Sequence, residues 1–481
     1  MAFVGDRLDR FANEAPDRAA LSCGPIRLSR QDLARAVAVL EGALGSHTRR
    51  SGRVVLRLTD PVALLLCFFA CARTGRIAVV MDPDWPATLA GAALGEIEPE
   101  LVVDDARFEE LAAGNVPSSN RQAPDTVPPE ENDLFYAGFT SGSSGMPKGY
   151  VRSHGSWLES FKLSSALFGI APESRVVIPG QLTHSLHLYG AVCALAGGQE
   201  VALLPRFDPR SVLAALRVAG GDGAVLYATP TQLHLLAEVS GRSGPLGAVR
   251  QVLASGAKWH DADREALKTV FPEARLFEFY GASETSFITI AGPDDTIPAG
   301  SVGRAAPGVS IAIGDPRNPA SAGRSGPVWV KSGLLFSGYL CGGSQDTRWR
   351  DSWLTVGDHG FLDKDGFLFL TGRENRMVVT SGLNVYPEEV EAVLSAHPAV
   401  ALAVVVGLPD PVRGERLEAV VQLTGPVDET ADALLHHCRE RLASGKIPRR
   451  LHLRDHLPLT SGGKPDIQRI LTELKTGGAD R

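Results

Sequence analysis

Between Arg53 and Pro86 the chain reads "RVVLRLTDPVALLLCFFACARTGRIAVVMDPDWP": a short β-type run, a break at Asp60-Pro61, an apolar stretch and a second β-type run. An unbroken apolar segment bounded by turn residues suits a buried helix, so the pattern predicts a strand, helix, strand unit. The alternation returns in "SRVVIPG", "GAVCALAGGQEVALLP" and "SVLAALRVAGGDGAVLYATP", and again from "AVRQVLASG" through "HDADREALKTVFPEARLFEFYG". Repetition of this kind implies mainly parallel sheets covered by helices. From Asn115 to Asp133 the residues are polar and proline-rich, which reads as a surface connection. After Ala291, glycines, prolines and short alternating runs such as "GPVWVKSG" and "GFLFLTG" predict smaller antiparallel strands. From roughly Asn375 onward, "AVALAVVVGLP", "RLEAVVQLTG" and "ADALLHHCRERLA" alternate strands with one helix, enough for a small α+β domain. No internal repeat and no low-complexity tail is present.

Composition narrows the class. With 481 residues, 44% of them hydrophobic, the chain can fill two or three cores. A net charge of -7 argues against a generally basic nucleic-acid surface, and the clusters "REN" and "KIPRRLHLR" are local. Cys23, Cys67, Cys71, Cys193, Cys341 and Cys438 are dispersed without paired metal-ligand spacing, as expected of reduced thiols in a cytoplasm. The longest apolar run, "VALLLCFFACA", is too short to cross a bilayer. The opening "MAFVGDRLDRFANEAP" alternates charges with apolar residues, so neither export nor a signal anchor is expected. The expectation is a cytoplasmic globular protein with no membrane span and no nucleic-acid partner.

The candidate chemistry begins at Phe139, in "FTSGSSGMPKGYVRSH". A backbone that approaches phosphate oxygens closely favours glycine, which has no Cβ to obstruct it and tolerates positive φ; hydroxyls add donors and lysine adds charge. The stretch thus reads as a phosphate-handling loop after the short strand "DLFYAGF". The alternative is a flexible linker, against which Pro147 and Lys148 argue. It is not the loop of P-loop nucleoside triphosphatases, in which Gly-Lys is followed by Ser or Thr; here Lys148 lies between Pro147 and Gly149.

The stretch resembles the acyl-adenylate-forming enzymes, which include acyl-CoA synthetases, aryl-acid ligases, peptide-synthetase adenylation domains and luciferases. Their loop reads Thr-Ser-Gly-Thr-Thr-Gly-x-Pro-Lys-Gly. Thr140, Ser141, Gly142, Ser143, Ser144, Gly145 and Lys148 fall on it, with Ser143 and Ser144 keeping two hydroxyls. Further motifs follow in the family's order. "FYGASE" is similar to Tyr-Gly-x-Thr-Glu, which implies Tyr280 stacked on adenine, Ser283 at the α-phosphate and Glu284 holding Mg²⁺. Gly256, Ala257, Glu278, Phe279 and Gly281 join Tyr280 in the implied adenine and ribose site. "WLTVGDHG" places Asp358 at the ribose hydroxyls, with Val356 replacing the usual threonine. "LTGRENRMVVTSGLNVYPEEVE" supplies Arg373 as a second ribose contact, with Asn384, Pro387 and Glu391 at its later positions, and "LPLTSGGKPD" places Lys464 where the family's mobile catalytic lysine lies. Taken singly, Glu284 reads equally as a helix-capping acid, Asp358 as a turn residue, Arg373 as a surface charge and Lys464 as a solvated lysine. Five separated motifs in order, from about Phe135 to Asp466, outweigh those readings.

The resemblance implies an α/β fold. It has a large N-terminal domain of helix-covered sheets with a small β-barrel-like region (residues 1–374), and a small mobile α+β C-terminal lid (residues 375–481). Asn375 stands at the implied hinge, where relatives carry aspartate or lysine, and Gly382 stands at the wall of the implied thiol tunnel. The implied reaction joins a small carboxylic acid to ATP with Mg²⁺, then passes the acyl group to coenzyme A or to carrier-protein phosphopantetheine. The aspartate that holds an α-amino acid's ammonium has no counterpart in "QLTHSLHLYG", so amino acids are disfavoured. His184 is a candidate for the acid pocket, the alternative being a histidine that caps a helix or packs beside the sheet. Tyr227, Ala228, Thr231, Ser255, Gly256 and Gly281 complete the implied pocket. A stand-alone enzyme that loads a carrier protein, and an inactive nucleotide-binding relative, are the competing expectations.

Overall fold

Asp60 and Pro61 start a helix. The Asp60 carboxylate accepts the Val62 N–H at 2.8 Å and proline occupies the first turn, where its missing N–H costs nothing. The helix Pro61–Arg73 is buried from Val62 to Ala72, and the flanking strands Arg53–Leu56 and Ile77–Val80 pair in parallel with Arg53 opposite Ile77. This is the strand, helix, strand unit expected from the hydrophobic pattern. The computed structural model describes residues 1–113, 127–140, 147–218, 220–240, 244–256, 259, 261–380, 383–425, 430–460 and 464–476. Ser141 to Gly145, Ala257, Gly382 and the Asn384 side chain lie outside the described residues, as does most of the proline-rich connection.

The chain divides into two units. The first comprises Met1–Pro298, Val302–Ile311 and Val330–Thr347; the second comprises Ala299–Ser301, Ala312–Trp329 and everything from Arg348. This division runs earlier along the chain than the boundary expected at 374 and 375.

In the first unit one sheet orders its strands Gly338–Cys341, Lys148–Ser153, Leu134–Thr140, Ile77–Val80, Arg53–Leu56, Leu101–Val103. The lysine stretch is the connection of its antiparallel pair Leu134–Thr140 and Lys148–Ser153. In the other sheet the parallel strands lie in the order Arg275–Ala282, Val249–Ala254, Ala224–Ala228, Arg175–Ile178, Glu200–Leu203. "RVVI" and "AVLYA" are buried throughout, because helices cover both faces. The chain runs outward from Arg175–Ile178 to Glu200–Leu203, then returns to the other side for Ala224–Ala228. The crossovers therefore diverge between Ile178 and Ala228, and a crevice opens at the carboxyl ends of those strands, where sheets of this kind bind ligands.

The second unit holds short antiparallel strands, among them Asp358–Leu362 paired with Phe367–Arg373, and a five-stranded sheet. In the strand Val400–Asp410, Ala403 and Val405 face one core with the helices Pro387–Ser395 and Ala431–Arg441. Val404 and Val406 face another core with the helix Ile467–Lys475, as the two-residue period requires. Only one helix was expected here; three are described. Among the described residues no helix is long and apolar enough to cross a membrane.

Candidate active site

The lysine stretch expected to handle phosphate joins the two strands of a hairpin. Thr140 and Lys148 face each other across the ladder, so the two ends of the loop are fixed in register. Beneath it the hydroxyls of Tyr136 and Tyr150 meet at 2.6 Å, both rings being buried, and Phe139 packs edge-on to Trp85.

Ser283 and Glu284 sit in the tight turn joining the strands Arg275–Ala282 and Ser286–Ala291. Gly281 is required there, since a Cβ would stand 1.7 Å from the Ser286 carbonyl oxygen. The Ser283 hydroxyl donates to Ser185 Oγ at 3.1 Å. Glu284 is 6% exposed; its Oε1 accepts the Tyr339 hydroxyl at 2.8 Å, and Tyr339 also meets Thr347 at 2.9 Å. Burial, then the Glu284 charge, raises the Tyr339 phenol pKa, so it stays a donor. Glu284 Oε2 has no hydrogen bond among the described residues. Nor do the described residues contain a cluster of three or more His, Cys, Asp or Glu able to hold a metal. One open carboxylate oxygen fits Mg²⁺, which takes few protein ligands and completes its shell with phosphate oxygens and water.

Strand alternation separates two of the expected nucleotide contacts. Phe279 turns its ring toward Phe168 and Phe287, with centroids 6.1 and 4.8 Å away, on the opposite face from Tyr280. Glu278 is on Tyr280's face, but both its oxygens are engaged, Oε1 by the Trp259 N–H at 3.0 Å and Oε2 by Arg264. Its carboxylate thereby anchors the loop that follows Ser255 and Gly256, the latter at φ 102°.

The crevice between Ile178 and Ala228 gathers the candidate acid pocket. The Gln232 amide donates to the Pro179 carbonyl at 2.7 Å, tying the two loops together, with Thr231 beside it. His184 is the residue preceding the helix Ser185–Gly197, without a side-chain cap. His187, one turn on, is buried under Gly180, and burial, then the neighbouring His184, pushes its pKa down to about 4. It is a neutral ring whose two nitrogens have no hydrogen-bond partner among the described residues, and sequence reasoning passed over it in favour of His184. Tyr227 lies in the core against Gly190, and its hydroxyl has no partner among the described residues. Behind it Tyr189 joins Trp157, Phe161 and Phe287 in an aromatic wall, with centroids 5.5 to 5.7 Å apart.

In the second unit, register brings the two expected ribose contacts together. Asp358 and Arg373 are opposite partners in the ladder, and Arg373 Nε donates to Asp358 Oδ1 at 2.8 Å. Asn375 is exposed in the short turn Glu374–Arg376. Pro387 opens its helix, and Glu391 accepts from Arg376 and from the Val405 N–H. Lys464 is exposed, yet protein mass around it, and then the charge of Arg373, lower its ammonium pKa.

Residues 8–340 match the AMP-binding enzyme family and residues 389–464 match the AMP-binding enzyme C-terminal domain. An uncharacterised acyl-CoA ligase of Bacillus subtilis (strain 168), YhfT, is 36% identical over 475 residues, 95% of this chain and 96% of that protein. ATP-bound MatB from Rhodopseudomonas palustris shares the fold at TM-score 0.86 and 23% identity, covering 100% of both chains. The Bacillus subtilis o-succinylbenzoate CoA synthetase MenE, with ATP and magnesium ion, is similar at TM-score 0.82 and 25% identity over 95% of this chain and 97% of that one. The expected fold class holds, and the chain belongs to the AMP-binding enzyme family and is an AMP-forming acyl-CoA synthetase.

Proposed function

We propose that this enzyme activates a small to medium aliphatic or aryl carboxylic acid as its acyl-AMP and transfers the acyl group to the thiol of CoA. The observation that carries the reading is the 3.1 Å bond between Ser283 and Ser185, which joins the turn bearing Glu284 to the helix that lines the crevice. A carboxylate lying in that crevice is delivered beside the group assigned to the α-phosphate.

The carboxylate oxygen attacks the α-phosphorus, the bond to the bridging oxygen breaks and pyrophosphate leaves. Two anions meet in that step, so cationic groups and aligned donors lower its barrier. Lys148 holds the departing phosphates, Ser283 turns its one O–H from Ser185 to the α-phosphate, Tyr280 stacks on adenine, and Asp358 with Arg373 takes the ribose hydroxyls. Lys464 bridges the carboxylate and the α-phosphate. Glu284 would hold the magnesium ion, which when bound would supply positive charge against the phosphates. In the second step the thiol sulfur bonds to the acyl carbon, AMP leaves and the thiol proton passes to solvent. The lid from Asn375 onward turns between the steps, withdrawing Lys464 and presenting Gly382 to the pantetheine arm.

The aromatic wall of Tyr189, Phe279 and Phe287 behind the crevice supports an acid of modest length, and the absence of Asp or Glu from Gln181 to Tyr189 supports one without an α-ammonium group. The test is mass spectrometry after incubation with ATP, Mg²⁺, CoA and a panel of aliphatic, aryl and amino acids. Acyl-CoA with matching AMP is expected. Acyl-AMP without acyl-CoA moves the acceptor to a carrier protein, and neither product from any acid overturns the reading.

A further inference from the structure

Arg152 is 1% exposed, in the strand that leaves the phosphate loop. Among the described residues it forms no salt bridge and touches neutral groups instead. Nη1 donates to the Ser283 carbonyl at 2.8 Å; Nη2 donates to Ser286 Oγ at 2.9 Å and to the Leu334 carbonyl at 2.5 Å; Nε donates to Ser156 Oγ at 3.2 Å. Burying a cation without a paired anion is costly, so such a group is retained for what it holds. Burial lowers its pKa to about 10, which leaves it charged at neutral pH.

What it holds is the frame around Glu284. Ser283 and Ser286 bracket that residue, and Ser286 has φ 57°, a left-handed conformation that a non-glycine residue adopts only under restraint. Leu334 begins the segment whose Phe336 N–H binds the Glu284 carbonyl at 2.8 Å and whose Tyr339 hydroxyl binds its carboxylate. Two carbonyls and two hydroxyls from separate parts of the chain converge on one planar fork, a task that neither lysine nor glutamine has enough fixed donors to perform.

We propose that Arg152 is a positioning residue that fixes the Ser283–Ser286 turn, and through it the metal-binding carboxylate of Glu284, by bonding the turn and the Leu334 segment at once. This rests on the adenylation reading for the role of Glu284; the juxtaposition itself does not.

The experiment compares wild type, Arg152→Met, Arg152→Lys and Ser286→Gly, the last deleting one acceptor while accommodating the positive φ. Acid-dependent exchange of pyrophosphate into ATP is measured against Mg²⁺, and thermal midpoints are measured with ATP in EDTA and with ATP and Mg²⁺. Misplacing Glu284 should lower the exchange kcat of Arg152→Met about 100-fold, with the KM for the acid unchanged. Its Mg²⁺ requirement should rise about 10-fold and the Mg²⁺-dependent part of its thermal shift should vanish. Arg152→Lys should recover little, and Ser286→Gly should move in the same direction by a smaller factor. A fall in midpoint with unchanged kcat and Mg²⁺ dependence makes Arg152 a structural residue only and overturns the proposal. If Arg152→Met does not fold, Ser286→Gly decides by the same criterion. Wild type that exchanges with no acid refutes the adenylation reading, while the Mg²⁺-dependent thermal shifts still judge the role of Arg152.

Discussion

Two buried histidines of the first unit should make its stability fall as the pH drops below the ordinary histidine range. His154 is fully buried; its Nδ1 accepts the Val4 N–H at 3.1 Å, and burial pushes its pKa down to about 3 despite the nearby Asp133 carboxylate. His187 is held at about 4 by burial and by His184. In the unfolded chain both titrate near 6.5. A depressed folded pKa means that the unfolded chain binds more protons between those values. The stabilisation is complete above pH 6.5 and is lost as pH falls toward 4 for His187 and 3 for His154. At pH 5 each ring costs about 2 kcal/mol relative to pH 8, and the pair about 4 kcal/mol. The assay is urea unfolding at pH 8 and pH 5 for wild type and for His154→Asn with His187→Asn, asparagine keeping an acceptor in place of Nδ1. The double variant should begin less stable at pH 8 but lose about 4 kcal/mol less on moving to pH 5. An equal loss in both proteins would refute the claim that these two rings are buried neutral.

Lys464→Ala should cut adenylation at least ~100-fold, since the cation opposite the two reacting anions is gone, and should leave the thermal midpoint unchanged because the side chain is exposed; adenylation at the parent rate removes Lys464 from the mechanism. Gly281→Ala forces the Ser286 carbonyl oxygen, 1.7 Å from the added Cβ, out to ordinary contact distance and should lower adenylation about 100-fold; wild-type activity would refute the claim that this turn requires glycine. Tyr339→Phe deletes the hydrogen bond to Glu284 and should raise the Mg²⁺ requirement about 10-fold, read from exchange rates across a Mg²⁺ titration; an unchanged requirement would mean that Glu284 is oriented without it.

The parallel sheets were legible because helices bury both faces of each strand, which turns a strand into an apolar run that turn residues punctuate on either side. The helices Pro387–Ser395 and Ile467–Lys475 escaped for the opposite reason. Each is only nine residues long, so few turns repeat the pattern; Val390, Val393 and Leu394 meet the core in one case and Ile467, Ile470, Leu471 and Leu474 in the other. Their starts were nonetheless written in the text. Pro387 with Glu388 and Glu389 is a first turn, and Asp466 accepts the Arg469 N–H at 3.1 Å. Short elements are specified by their ends, and reading for periodicity alone overlooks them.

The site divides in the same way. The groups expected to meet the nucleotide stand in short contiguous motifs, which is why the sequence offers them as candidates. Groups that hold them need only reach them, from anywhere in the chain: nothing in "GYVRSH" singles out Arg152, and Tyr339 lies 55 residues beyond the glutamate it bonds. Asp358 and Arg373 fall between these cases, because their adjacency follows from a turn. Asp363 Oδ1 accepts the N–H groups of Asp365 and Phe367 at 2.9 Å, and Gly366 takes φ 81°, which closes the hairpin at "DKDG". Once that turn is set, the ladder carries Asp358 opposite Arg373 across a single irregularity at His359 and Gly360. The placement of the two proposed ribose contacts is therefore one structural decision, made at the turn.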